Sequence, residues 1–270
     1  MRPQAVPERE APVALNLREY GTPRSGRPAV VLLHGLFGSA MNWHGLAQRL
    51  GEDAHVLAFD LRNHGRSPHH PVMSYESMAA DVLAELDARG LDEVVLIGHS
   101  MGGKVAMWAA LTAPDRVARL AVLDIAPVTY PNRFEGILTG LQAIDTQGLA
   151  SREQADETLA RYVASAAVRQ FLLANLQRTA QGWSWRMNLP AIVASMPAVL
   201  GFPPTGEMVY PGPALILRGE RSDYVAEPHR EAIASLFPAA ELRTVEAAGH
   251  WLYAERPEQV WALLSGHLSV

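Results

Sequence analysis

The chain has 270 residues, 49% of them hydrophobic, a formal net charge of −5 and no cysteine. That length and apolar content suit one full-sized domain with a large core and a modest insertion. No run of Lys or Arg is present to neutralise a row of phosphates, which argues against a nucleic-acid partner, and the lack of cysteine excludes disulfides, thiolate metal sites and a Cys nucleophile. The opening residues, Met1 to Glu8, lack the apolar segment of an export signal, and nowhere do about 18 uncharged apolar residues run together. A soluble cytoplasmic protein without a membrane span is the expectation.

Short β-branched or aliphatic runs alternate with segments of helical periodicity, the pattern of strands joined by crossover helices into a mostly parallel sheet. In chain order the reading is strand over Val13–Glu19 and Ala29–His34, helix over Ala40–Leu50, strand over His55–Asp60, helix over Ser74–Arg89, strand over Glu93–Gly98, helix over Gly102–Thr112 and strand over Leu120–Ile125. The series resumes with strand Ala214–Gly219, helix Pro228–Phe237, strand Glu241–Glu246 and helix Pro257–Leu268; Pro228 and Pro257 suit first-turn positions. Runs such as Val94-Val95-Leu96-Ile97 show no alternation, so both faces of the sheet are expected to be covered.

Between Pro127 and Gly206 the alternation stops. Helical stretches over Phe134–Ile144, Arg152–Val163, Ala166–Asn175 and Leu189–Leu200 follow one another, with Trp183–Met187 as the one strand-like run. Residues 127–206 are therefore expected to form a helical cap inserted into a core made of residues 1–126 and 207–270, with both ends of the insertion above the carboxyl ends of the strands, where such sheets place their ligands.

Gly98-His99-Ser100-Met101-Gly102 lies directly between an apolar strand and a helix. A hydroxyl nucleophile at the tip of so tight a turn needs strained backbone and small neighbours two residues to either side, which Gly98 and Gly102 supply. The turn exposes the Ser100 hydroxyl near the positive end of the next helix, where the N–H of Met101 can face a developing oxyanion. A second donor is expected from His34-Gly35-Leu36-Phe37-Gly38, the loop after an earlier strand, with the N–H of Leu36 as candidate. His34 and His99 read as structural.

A serine nucleophile needs a base. Of the histidines beyond Ser100, His229 begins a helix and His267 sits in the last one, whereas His250 occupies a loop after a strand, where it can take the Ser100 proton and return it to a leaving alcohol. Two strand-end carboxylates, Asp124 and Asp223, stand ready to orient that imidazole. Asp115, Asp145 and Asp156 fall away from the strand ends. His64, His69 and His70 lack zinc-ligand spacing, and the chemistry needs no metal or organic cofactor. Phe37, Tyr130 and Trp251 are candidates for an apolar substrate pocket, as are Trp183 and Trp185, each equally explicable as core.

Several segments together resemble the YbfF-like carboxylesterases of the α/β-hydrolase superfamily. They are Leu33-His34-Gly35-Leu36-Phe37-Gly38-Ser39, Asp60-Leu61-Arg62-Asn63-His64-Gly65-Arg66-Ser67, Gly98 to Lys104, Asp124-Ile125-Ala126-Pro127-Val128, Trp185-Arg186-Met187-Asn188-Leu189 and Gly249-His250-Trp251. The resemblance implies an α/β-hydrolase fold, a Ser-His-Asp triad with Asp124 as acid, and cleavage of small to medium acyl esters or thioesters through an acyl-enzyme. Ser222 occupies the superfamily's more usual acid position, with Asp223 one residue later, so Asp223 stays the alternative. Perhydrolysis, C–C bond hydrolysis, acyl transfer and a non-catalytic receptor are the competing readings. A small-molecule substrate and a monomer or homodimer are expected.

Overall fold

The computed structural model describes residues 11–268, so the absence of an export signal expected over Met1 to Glu8 lies outside the described residues. The elements in chain order are β1 (Leu17–Tyr20), β2 (Ala29–Leu33), α1 (His44–Leu50), β3 (Val56–Phe59), α2 (Tyr75–Ala88), β4 (Val94–His99), α3 (Met101–Thr112) and β5 (Val117–Leu123). Then come α4 (Glu135–Gln142), α5 (Arg152–Ala160), α6 (Ala166–Leu173), β6 (Leu176–Thr179), β7 (Gly182–Trp185) and α7 (Leu189–Leu200). The chain closes with β8 (Ala214–Gly219), α8 (Arg230–Leu236), β9 (Ala240–Val245), α9 (Leu252–Glu255) and α10 (Pro257–Leu268).

Among the described residues seven strands form one sheet in the order β1-β3-β2-β4-β5-β8-β9. All neighbours are parallel except β1, which runs antiparallel to β3 at the edge. The unbroken apolar runs are buried on both faces, as parallel strands between helix layers must be. In β2, Val31 and Leu33 pack with Val82 and Leu86 of α2 and Val105 of α3, while Val30 and Leu32 pack with Ala47 and Leu50 of α1 and Val260 and Leu264 of α10. Among the described residues no helix is long and apolar enough to cross a membrane.

Three local departures from the expected elements have physical causes. The first strand starts at Leu17 rather than Val13, because the N–H groups of Val13 and Leu15 are taken by the carboxylates of Asp81 and Glu85 on α2 instead of by a neighbouring strand. The stretch Ala40–Trp43 is a tighter 3-10 turn ahead of α1, and Glu227–His229 plays the same part ahead of α8. The hairpin β6–β7 replaces the lone strand-like run, with Ala180 and Gln181 between its strands and Gly182 at φ +117°. Leu176-Gln177-Arg178-Thr179 carries too little apolar alternation to announce the first of its strands.

The excursion between the adjacent strands β5 and β8 is pinned where it leaves and where it comes back. Lys104, fully buried in the second turn of α3, donates its ammonium to the carbonyls of Val128 at 2.8 Å, Leu200 at 3.1 Å and Gly201 at 2.6 Å. An ammonium has three N–H donors, and here all three are used. A second anchor joins α7 to the loop after β3: the N–H of Asn188 donates to Asn63 O at 2.9 Å and its amide to Asn63 Oδ1 at 3.0 Å.

Candidate active site

Ser100 stands between β4 and α3 with φ 52° and ψ −121°, a conformation that L residues avoid and that costs of order 1–3 kcal/mol where the surroundings enforce it. The enforcement is visible in the flanking glycines. A Cβ on Gly98 would sit 2.2 Å from the carbonyl oxygen of Gly102, and one on Gly102 would sit 2.3 Å from that of Leu33.

Nε2 of His250 lies 3.0 Å from the Ser100 hydroxyl, and Nδ1 lies 2.8 Å from Oδ2 of Asp124. Asp124 also sits at positive φ, 54°, with its side chain fully buried. It accepts the N–H of Gly219 at 2.9 Å on Oδ1 and the hydroxyl of Ser222 on Oδ2. A carboxylate that only accepts requires the proton on Nδ1 of His250, which leaves Nε2 free to accept from Ser100. The three side chains come from three separate strand ends, so the row exists only once the sheet has formed.

The imidazole is held from two further sides. Nε2 of His99 donates to the backbone carbonyl of His250 at 2.8 Å, and the ring of Tyr224 stacks on that of His250 with centroids 4.1 Å apart. Burial, and next the proximity of His250, push the pKa of His99 well below its ordinary value, so His99 is a neutral tether.

The loop after β2 is built by two more neutral histidines. His34 accepts the N–H of Leu61 on Nε2 at 3.0 Å and donates from Nδ1 to Gly35 O at 2.8 Å. His64 accepts the N–H of Phe37 on Nε2 at 3.2 Å and donates from Nδ1 to Arg62 O at 3.0 Å. Burial lowers both, His64 to about 3. Phe37 adopts φ 63°, and its carbonyl accepts the amide of Asn175 at 2.8 Å, linking this loop to the end of α6. The N–H of Leu36 makes no hydrogen bond within the described residues, and that of Met101 opens α3, where a helix offers no internal acceptor.

Two cavities meet at Ser100, with Leu36, Arg133, Phe134 and Tyr224 common to their walls. Tyr130 lines the smaller one; its hydroxyl accepts from Ala126 N–H at 2.9 Å and donates to Tyr224 O at 2.6 Å. Phe37, Trp251 and Phe171 line the larger one, the last two rings 5.9 Å apart. Trp183 and Trp185 line neither cavity and pack at the edge of the core, with Arg152 and Arg178 against the Trp183 ring.

Asp223 does not meet the imidazole. It pairs with Arg133 at 2.5 Å on the exposed rim of the cavities. His69 contacts Arg186 O and the N–H of His70 meets Asn63 Oδ1, both away from Ser100. Sequence reasoning noticed Ser222 only as a residue in the usual acid position and gave it no role, and it missed Tyr224 and Arg133, for which no local pattern exists. It also missed Lys104, whose signal was present: a single charge in an otherwise apolar helix.

A mostly parallel sheet flanked by helices, with serine, histidine and aspartate meeting at its strand ends, is the architecture of the α/β hydrolases, and the chain belongs to that family. Residues 28–145 match the α/β-hydrolase fold model. The chain is 42% identical to the sn-1-specific diacylglycerol lipase ABHD11 of Mus musculus over 90% of its own length and 81% of that protein, and 36% identical to esterase YbfF of Escherichia coli K12 over 89% and 92%. Among solved structures a marine microorganism esterase superposes with a TM-score of 0.90 at 37% identity, covering 94% of this chain and 99% of that one. These three relatives are named as a lipase and two esterases.

Proposed function

We propose that the protein is a serine carboxylic-ester hydrolase acting on small to medium acyl esters through an acyl-enzyme. The observation that carries this reading is the continuous row Ser100 Oγ, His250 and Asp124, at 3.0 Å and 2.8 Å. Ser100 attacks the ester carbonyl while His250 Nε2 takes its proton; Asp124 holds the tautomer and the imidazolium that forms. The tetrahedral oxyanion is received by the N–H groups of Leu36 and Met101. His250 then returns its proton to the departing alcohol, and a water activated at the same nitrogen releases the acid.

In this reading residues 127–206 act as a cap over the strand ends. Support comes from Arg133, Phe134, Phe171 and Leu200, which belong to that segment and line the cavities at Ser100. The test is labelling by a fluorophosphonate probe together with hydrolysis of p-nitrophenyl esters. Wild type should be labelled and active, Ser100→Ala neither; a folded wild type that resists the probe and leaves every ester intact defeats the proposal.

A further inference from the structure

The two cavities at Ser100 differ in size and in which part of the catalytic row they touch. The smaller, about 30 Å³, is bounded by Tyr75, Met101, Lys104, Ile125 and Val199. The larger, about 230 Å³, is bounded by Phe37, Ile137, Phe171, Trp251 and the His250 ring itself. His250 borders only the larger one.

That asymmetry orients an ester. The proton returned by the imidazolium must reach the oxygen of the departing alcohol, so the alcohol has to lie on the side where His250 is exposed. With the carbonyl oxygen directed at Leu36 and Met101, the acyl chain is left the opposite side, under α3. Against about 230 Å³ on the other side, about 30 Å³ leaves room for only a short acyl chain. The walls of this smaller space are cross-linked and resist swelling: the Tyr75 hydroxyl donates to Val199 O at 2.5 Å, and Lys104 holds Val128, Leu200 and Gly201.

We propose that the enzyme selects esters of two- or three-carbon acids with bulky apolar alcohols, the acyl group lodging between Met101, Ile125 and Val199 and the alcohol against Phe171 and Trp251. The proposal rests on the serine-hydrolase reading above and adds the direction of binding.

Two substrate series test it. With p-nitrophenol as constant leaving group and acyl chains from acetyl to octanoyl, kcat/KM should fall at least about tenfold beyond propionyl, the discrimination a pocket gains from excess methylenes. With acetate constant and ethyl, butyl, hexyl and octyl alcohols, whose leaving oxygens are similarly basic, kcat/KM should rise along the series. Val199→Ala should move the acyl optimum to longer chains, with Ile125→Val as the milder alternative, and Phe171→Ala should flatten the alcohol series alone. An acyl optimum at hexanoyl or longer, with no gain along the alcohol series, overturns the assignment while leaving the hydrolase intact. Loss of probe labelling and of all turnover removes the underlying mechanism, and the orientation with it.

Discussion

Ser222 donates its hydroxyl to Oδ2 of Asp124, the same oxygen that meets Nδ1 of His250 at 2.8 Å. The two side chains belong to neighbouring strand ends, Asp124 after β5 and Ser222 after β8. Asp223, one residue on, faces outward to Arg133.

This geometry separates three carboxylate-region variants by ester kinetics. Asp124→Asn should lower kcat by roughly 10⁴-fold, the scale of losing the orienting acid of a serine hydrolase. Ser222→Ala removes one hydrogen bond to a charged group and should cost about tenfold. Asp223→Asn should stay within about twofold. A collapse in Asp223→Asn equal to that in Asp124→Asn would contradict the assignment of roles.

Stability should fall on the acid side of neutrality because of three buried histidines. Burial lowers His34, His64 and His99 below 6.5, His64 to about 3, so all three are neutral in the fold. Below pH 6.5 the unfolded chain binds protons that the native state refuses, so the stability present above that pH drains away as the pH drops. Each such histidine adds a slope of up to about 1.4 kcal/mol per pH unit. Urea titrations at pH 7.5, 6.5, 5.5 and 4.5 should show the decline, and His64→Gln should make it shallower.

Lys104→Met would keep the volume of the side chain and strip three part-buried carbonyls of their donor. The expected loss is roughly 2–3 kcal/mol, since buried polar groups left unpaired carry their full desolvation cost. Thermal unfolding should register a Tm lower by roughly 4–10 °C. Burial pushes this ammonium down to about 7, while the three carbonyl acceptors favour its charged form.

At Gly102 a methyl group would enter space 2.3 Å from the backbone oxygen of Leu33. Backbone cannot swing aside as a side-chain tip can, so Gly102→Ala should destabilise by about 3 kcal/mol and displace the Ser100 turn. Loss of ester turnover together with a lowered Tm is the expected pair of readings. Gly26→Ala, at φ 72° with no atom within 4 Å of the added carbon, serves as a control for strain without collision.

Much of the architecture was legible because the signals are local. Val94-Val95-Leu96-Ile97 declares a strand covered on both faces, and the glycines around Ser100 declare a strand-to-helix turn that only small neighbours permit. The mainly helical stretch between β5 and β8 announced itself by the end of alternation after Pro127. Less legible were the pieces whose conformation is set by distant partners, such as Val13 and Leu15, whose N–H groups go to α2, or the hairpin of Leu176 to Trp185, which has little apolar pattern of its own.

The amino-acid order by itself singled out the candidates: one serine at an elbow, one histidine in a strand-end loop, two carboxylates at strand ends. Tertiary structure decided which of them meet. Asp124 and Asp223 are indistinguishable as local patterns, since each follows an apolar strand, and only the order β4-β5-β8-β9 with the direction of each turn brings Asp124 to His250 and sends Asp223 to Arg133. The same holds for the neutral histidines and for Lys104, whose partners lie 24 to 97 residues away along the chain. Hydrogen bonds of that range leave no periodic trace in sequence, because they depend on where the sheet places chain segments rather than on what neighbours each residue.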